Sequence, residues 1–575
     1  MKTKDEFTGY PSIDKPWLKY YSNKAISTPL PECSLYEYIR TRNLDNLSKV
    51  ALNYYGAEIS YGNLLRYIDN AAGALEKIGV KSGDTVTICM VNSPETIILL
   101  FAINKLGAVA NMEYGASEPS ELQSHIINSG SHIVFTLDIF QEKYLQIADS
   151  ANIDLIVVTS LTHSMSFFNR ICAKYFQKQK SIPIPNDARF ITWSHFWKMC
   201  CMTTTLLSVP DAPAVITYTG GTTGGSKGVL LSNKGVIAVA EQYIAGELNL
   251  KRGNTWLQVL PLFIAYGITC SLLIPLSVGM KLIIRLPMSD SLYEICKKFK
   301  PNHIIYGPAF WEAFADDNRS IKLDYLIAPI SGGDTLREKT ELKINNYLLS
   351  HGSKYPIMNG YGMTEVGAAV SVNHKHVYEF GSVGVPFVKN VISAFDTETG
   401  NELQYGQEGE ICISSPSIML GYVNNEEETN KIIRIHSDGQ AWVHTGDLGY
   451  ITQDGFIHIC GRLKRYMLCI ANGIQKKVFS LDIESVLNKC PQVSNCVVVP
   501  INDAEKNQVP VAFIKPDSTC ISLTSLEREL EMICIRELNP IYRPVKYIFI
   551  DEYPHTKVGK VDYRKLEEQA SQYSK

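Results

Sequence analysis

The run Thr219-Gly220-Gly221-Thr222-Thr223-Gly224-Gly225-Ser226-Lys227-Gly228 tolerates few surroundings. An apolar stretch at 214–218 precedes it and reads as a buried strand. A second apolar stretch, 229–231, ends at Ser232-Asn233, which reads as a helix cap. Glycines at this density let backbone N–H groups converge on an anion without Cβ clashes. The threonines and Ser226 add hydroxyl donors, and Lys227 adds a mobile charge. The implied ligand is a phosphate. A Walker loop needs Gly before its Lys and Ser or Thr after it. Here Lys227 stands between Ser226 and Gly228, so that reading fails.

At 575 residues the chain is too long for one core, and two or more domains are expected. A net charge of −3 gives no electrostatic case for a nucleic-acid partner. The 14 cysteines are scattered and include no Cys-x-x-Cys pair. That usage fits a reduced, cytoplasmic protein rather than a disulfide or zinc scaffold. The charged opening Met1-Lys2-Thr3-Lys4-Asp5-Glu6 is followed by no apolar core of a secretory signal. The most apolar window, 257–286, is broken by Pro261, Gly267, Pro275 and Gly279, and reads as core strands and helices.

Before the glycine run, hydrophobic periodicity predicts a hairpin around Gly56 and a helix through Leu64, Ile68, Ala71 and Leu75 that ends at Gly79. Strands follow at 85–91, 132–136 and 155–159, with a helix at 96–106. This alternation predicts a layered α/β domain with parallel strands. The segment 163–180 puts Phe167, Phe168, Ile171, Tyr175 and Phe176 on one helical face and Arg170, Lys174 and Lys178 on another. Such a helix either packs on its own domain, the reading preferred here, or makes a weak contact with an anionic membrane surface. Residues 381–445 alternate short apolar runs with turn residues and predict a small β-rich subdomain.

Three further motifs follow in order: Asn359-Gly360-Tyr361-Gly362-Met363-Thr364-Glu365, then Trp442-Val443-His444-Thr445-Gly446-Asp447 with Gly461-Arg462-Leu463-Lys464, and finally Pro554-His555-Thr556-Lys557-Val558-Gly559-Lys560. Together with the glycine run they resemble the adenylate-forming superfamily of acyl-CoA synthetases, peptide-synthetase adenylation domains and luciferases. The resemblance spans nearly the whole chain. It implies a large N-terminal AMP-binding domain, 1–463, of layered α/β subdomains with a small β-barrel-like subdomain. A mobile α+β lid, 464–575, would hinge near Lys464.

By the same resemblance, Thr219, Gly220, Gly221, Thr222, Thr223, Gly224 and Lys227 would hold ATP phosphates. Gly332, Gly333 and Asp334 would border adenine, and Asn359, Gly360, Tyr361, Gly362 and Met363 would line the same site, with the Tyr361 ring available for stacking. Thr364 would reach the α-phosphate, and Glu365 would offer Mg²⁺ a hard oxygen. Asp447 would accept the ribose hydroxyls, and Arg462 would hydrogen-bond the ribose or the phosphate. Lys560 would stabilise the negative phosphorus centre as a carboxylate attacks. Phe263, Ile264, Tyr266, Tyr306 and Gly307 would line the acyl pocket, and Gly473 would border the thiol acceptor.

Three departures carry information. Ser226 replaces the family's proline. Ile264 replaces its histidine, and no aspartate follows Phe263 to pair with a substrate ammonium, so an amino acid is disfavoured. The stretch 468–484 is longer than the family's glycine-centred loop and lacks its proline. The expected activity is therefore ATP-dependent activation of a small-molecule, non-amino carboxylic acid. The acceptor is coenzyme A or, alternatively, the phosphopantetheine of an acyl carrier protein. A non-catalytic nucleotide-binding relative is the third reading.

Overall fold

The computed structural model describes residues 7–176, 182–203, 206–207, 209–219, 226–246, 248–286, 291–374, 376–463, 465–471, 474–517, 520–556 and 560–573. The fold is mixed α/β, as the alternation predicts. One eight-stranded sheet has at its centre the parallel strands Val109–Met112, Thr85–Cys89, Ile133–Leu137 and Leu155–Thr159. On one side it continues into Pro213–Thr219, then antiparallel into Lys227–Ser232. A nine-stranded sheet carries Thr255–Gln258, His303–Tyr306, Ala328–Ser331 and Met358–Met363 side by side.

The helix Pro94–Lys105 is buried at all twelve positions, which marks it as an internal layer rather than a surface helix. Ser93 caps it, accepting from Thr96 N at 3.2 Å, and Pro94 fills its first turn, where no N–H is needed. One continuous apolar cluster takes in this helix, Asn233–Ala245 and strands of both sheets. Ser232 caps Asn233–Ala245 through Gly235 N at 3.0 Å, as the sequence predicts. The window 257–286 forms core elements, including a π-helical turn at Gly267–Leu273. Among the described residues no helix is long and apolar enough to cross a membrane.

The β-rich subdomain is a five-stranded antiparallel sheet that includes Gly409–Ser414, Ala441–Ile451 and Ile457–Arg462. A separate sheet of five strands between Tyr466 and Phe549 is flanked by helices Ser480–Leu487, Leu523–Glu537 and Tyr563–Ser571. Two expectations need correction. The stretch 468–484 lies in paired strands, Tyr466–Ala471 with Ile474–Phe479, that lead directly into the helix Ser480–Leu487, rather than in an irregular loop before that helix. The helix Phe167–Phe176 leaves Phe167 78% and Phe168 74% exposed, so at these positions the apolar face is not covered by its own domain.

The terminal sheet is anchored by an ion pair. Arg465 Nη2 lies 2.6 Å from Glu484 Oε1, which also accepts from Val498 N at 2.7 Å. The guanidinium stacks on the Tyr563 ring, 4.1 Å from its centroid. Glu484 is buried. Removing one partner of a buried pair strands the other charge, at a cost of about 3–5 kcal/mol. Glu484→Ala is expected to destabilise the C-terminal sheet by about 3–5 kcal/mol, read as a lower urea midpoint, while amide exchange in the two large sheets stays unchanged. Equal midpoints in parent and variant would contradict this account.

Candidate active site

Asp447 is 5% exposed and lies where the five-stranded sheet meets the strand Met358–Met363. Its Oδ2 accepts from the Tyr361 hydroxyl at 2.6 Å, and its Oδ1 pairs with Arg462 Nε at 2.8 Å. Arg462 faces it across an antiparallel strand pair. Burial pushes the Asp447 carboxyl above its usual range, against the opposing pull of Arg462 and Tyr361. The Tyr361 hydroxyl is driven far upward by the same burial and by the Asp447 charge, so it stays a donor.

The loop leading into Asp447 is held from below. Gly446 has φ +70°, a conformation that favours glycine, and its N–H donates to Glu410 Oε1 at 3.0 Å. Glu410 Oε2 lies 2.8 Å from His444 Nδ1. Burial alone would raise the Glu410 carboxyl, but the hydrogen bond and charge of His444 bring it below the usual range. Thr445 Oγ1 accepts the Asp447 N–H at 3.0 Å.

Glu365, 7% exposed, sits in the turn Thr364–Val366 directly after Met363. Its Oε1 accepts from the Tyr422 hydroxyl at 2.7 Å. Lys227 lies over the same Tyr422 ring, 4.9 Å from its centroid, and pairs with Glu428, whose carboxyl this contact draws down to about 2. Tyr422 thus joins the phosphate-loop lysine to the acidic turn. A buried carboxylate with an accessible hydroxyl neighbour, Thr364, is a donor set that suits Mg²⁺ together with phosphate oxygens.

The C-terminal sheet closes over this cluster. Lys339 Nζ donates to Pro491 O at 3.0 Å and Val493 O at 2.8 Å, and Arg337 Nη2 donates to Cys496 O. Docked this way, Lys560 keeps contact with solvent but enough protein surrounds its ammonium to lower its pKa. Arg462 lowers it further, while Asp334, Asp447 and Glu365 pull it back up. Residues more than 100 positions apart in the chain thus share one electrostatic environment.

The residues expected to line an acyl pocket are each held by neighbours in the large domain. Asn92 holds the 260–262 segment, donating to Leu260 O and accepting from Leu262 N, both at 3.0 Å. Phe263 packs on Tyr114 with ring centroids 4.8 Å apart. Tyr306 stacks on Phe310 at 3.9 Å, and Gly307 caps the helix Pro308–Ala315. The Tyr266 hydroxyl lies 2.5 Å from where a Cβ on Gly332 would stand, so only glycine fits at 332 beside it. Gly333 has φ +89°, and Asp334 is exposed beyond it. Gly362 faces Ala368 O, which a Cβ would strike at 1.7 Å. Ile264 is half-buried, next to Phe263.

Some predicted site residues hold the frame. Asn359 is buried, donating to Ser382 O at 3.2 Å, and Gly360 packs on Ser371 O. Thr219 pairs with Lys227 in the strand register. Gly220, Gly221, Thr222, Thr223, Gly224, Lys464 and Gly473 lie outside the described residues. Sequence reasoning missed Tyr422, Glu428, Glu410 and Thr445. Each is distant in sequence from most of what it touches. The adjacency of Thr445 to Asp447 was the one local signal.

Comparison with known proteins agrees with this geometry. The AMP-binding enzyme model matches residues 40–423, and the AMP-binding enzyme C-terminal domain model matches 482–560. A long-chain-fatty-acid–CoA ligase of Bacillus subtilis (strain 168) is 27% identical over 573 residues, covering 97% of this chain and 98% of its own. The 4-coumarate–CoA ligase CCL1 of Humulus lupulus is 28% identical, covering 87% of this chain and 88% of its own. The crystal structure of the anthranilate CoA ligase AuaEII in complex with anthranoyl-AMP superimposes with a TM-score of 0.79 at 22% identity, covering 96% of this chain and 99% of that one. Since the first model alone spans more than half of the sequence, the chain belongs to the AMP-binding enzyme family.

Proposed function

We propose that the protein activates a non-amino carboxylic acid with ATP and transfers the acyl group to coenzyme A. The observation that carries this reading is the buried pairing of Asp447 with Tyr361 and Arg462, with Lys560 of the docked C-terminal domain within electrostatic range of Asp447, Arg462 and Glu365. In this reading residues 1–463 form the adenylating body and 464–575 the lid, hinged near Lys464. Asp447, fixed by Tyr361 and Arg462, accepts the ribose hydroxyls. The backbone around Gly332, Gly333 and Asp334 borders adenine. Thr364 hydrogen-bonds the α-phosphate. Glu365 would hold Mg²⁺, which would supply positive charge to the phosphates when bound. Lys560 stabilises the extra negative charge on phosphorus as the carboxylate attacks, one P–O bond forms and pyrophosphate leaves. Phe263, Ile264, Tyr266 and Tyr306 give the acid an aromatic and aliphatic wall, where an unpaired ammonium would be costly. The coenzyme A ligases among the relatives support a coenzyme A acceptor. The hairpin 466–479, in place of a glycine-centred loop, keeps the phosphopantetheine of a carrier protein as the second reading.

The cysteines are all unpaired, which supports a reducing, cytoplasmic setting. The exposed face of Phe167, Phe168 and Ile171 supports contact with an anionic lipid surface. The chain carries Arg170, Lys174, Lys178 and Lys180 there, and no acidic residue from 155 to 186, so its charge complements such a surface.

Four measurements test these readings. Pyrophosphate release across a panel of carboxylic acids, with and without coenzyme A, should show sustained turnover only with coenzyme A; a single stoichiometric burst that coenzyme A does not extend would favour the carrier protein. Lys560→Ala should slow adenylation by about 10²–10³-fold, the scale of losing a transition-state donor, with MgATP affinity and thermal midpoint nearly kept. In the parent, the rate should fall on the alkaline side below the 10.5 of an ordinary lysine, because the depressed ammonium loses its proton earlier; a limb at or above that value would contradict the assignment. Finally, the protein should sediment with vesicles containing phosphatidylglycerol but not with neutral phosphatidylcholine, and Phe167→Ser/Phe168→Ser should abolish this without changing turnover on a soluble acid. Equal sedimentation of parent and variant would remove the helix from the contact.

A further inference from the structure

A buried polar chain lies under the phosphate loop, and the adenylation chemistry described above does not use it. Ser226 Oγ is 2.7 Å from His125 Nε2 and 3.0 Å from Glu121 Oε1. His125 Nδ1 is 3.0 Å from Oε2 of Glu113, which is buried in the core. Asn111 donates to the other Glu113 oxygen at 3.3 Å and accepts from the Tyr218 hydroxyl at 2.9 Å. The imidazole also lies flat on the Tyr218 ring, with centroids 3.7 Å apart and planes within 10°. Tyr218 is in the strand that enters the phosphate loop, and Ser226 directly precedes the strand that leaves it. One histidine therefore touches both ends of the loop.

We propose that His125 is a positioning residue for ATP. By stacking on Tyr218 and bonding Ser226, it clamps the two strand ends and fixes where Lys227 projects. Ser226 stands where the family's proline would, so a side-chain clamp replaces the stiffness of a ring. The inference rests on the AMP-binding reading of the site.

The order Ser–His–Glu resembles a nucleophile relay, but the protons argue against one. Serine has a single hydroxyl proton. If it went to His125, Glu121 would face Ser226 Oγ at 3.0 Å with no hydrogen between two oxygens. The satisfied arrangement has Ser226 donating to Glu121 and accepting from His125 Nε2–H. A second proton then lies between His125 Nδ1 and Glu113. Burial raises the Glu113 carboxyl, and the hydrogen bonds of His125 and Asn111 oppose this. The other titratable groups around the pair stay fixed: Tyr218, Tyr144 and Cys89 are pushed upward by burial and remain neutral, and Lys143 is tied to Gly115 O and Ser117 O.

MgATP affinity, measured by calorimetry on the full chain without acid, tests the clamp. Ser226→Ala is expected to weaken binding about tenfold, the scale of a charge-assisted hydrogen bond, with an unchanged thermal midpoint. His125→Gln keeps a donor for Ser226 but loses the stacking on Tyr218 and the partner of Glu113, so it should also weaken MgATP binding. Adding Ser226→Ala to His125→Gln should cost no more than Ser226→Ala alone. If Ser226→Ala binds within twofold of the parent, or the two substitutions act independently, the clamp is wrong. A parent that binds no MgATP would overturn the AMP-binding reading and the clamp together.

Discussion

Asp447 carries its carboxylate in a nearly closed environment, where a lone charge would cost several kcal/mol. It is tolerated because Tyr361 and Arg462 reach it from different strands, one in the nine-stranded sheet and one in the antiparallel hairpin. The same contacts set the position of the β-rich subdomain against the large sheets, so folding and site assembly are one event here. Thr445, Glu410 and His444 then fix the loop that presents the carboxylate. The charge also reaches Lys560, so the C-terminal domain and Asp447 share one electrostatic environment.

The layered α/β body was legible because its signals are local. Period-3.6 apolar spacing gave the helix Tyr61–Lys77, and short apolar runs gave Leu155–Thr159 and Pro213–Thr219. The helix Phe167–Phe176 was legible as a helix but not in its surroundings, since amphipathicity does not say what covers the apolar face. The hairpin at 466–479 was missed because its period-2 pattern is weak beside the glycine that drew attention. For the site, the motifs marked Tyr361, Glu365, Asp447 and Lys560. They could not show that Tyr361 spends its hydroxyl on Asp447, nor that Tyr422 bridges Glu365 and Lys227. Those links join residues 57 or more positions apart, and no local pattern encodes them.

The departures from the family pattern have different physical meanings. Ile264 in place of a histidine changes the polarity of a pocket wall without leaving a buried polar atom to satisfy. Ser226 in place of proline does leave one, and the structure satisfies it with His125 and Glu121. A buried hydrogen-bonded chain is an exacting substitute for a ring, because each member needs its partner. Glu113 in particular is acceptable in the core only with His125 and Asn111 in place. Ser226, His125 and Glu113 therefore form one unit, and a change at any one of them falls on the phosphate loop.

The glycines near the acyl pocket follow the same logic of shared space. Gly332 would be read from sequence as making room for a flat base. In the structure its missing Cβ leaves room for the Tyr266 hydroxyl. Gly267, at the start of the π-helical turn, faces Pro261 O, which a Cβ would strike at 1.9 Å. These two glycines let Tyr266 and the 260–267 segment fold in against the strand Ala328–Ser331. A larger residue at 332 would have to displace the buried tyrosine, so this position couples the strand end at Ser331 to the 260–267 segment through packing alone.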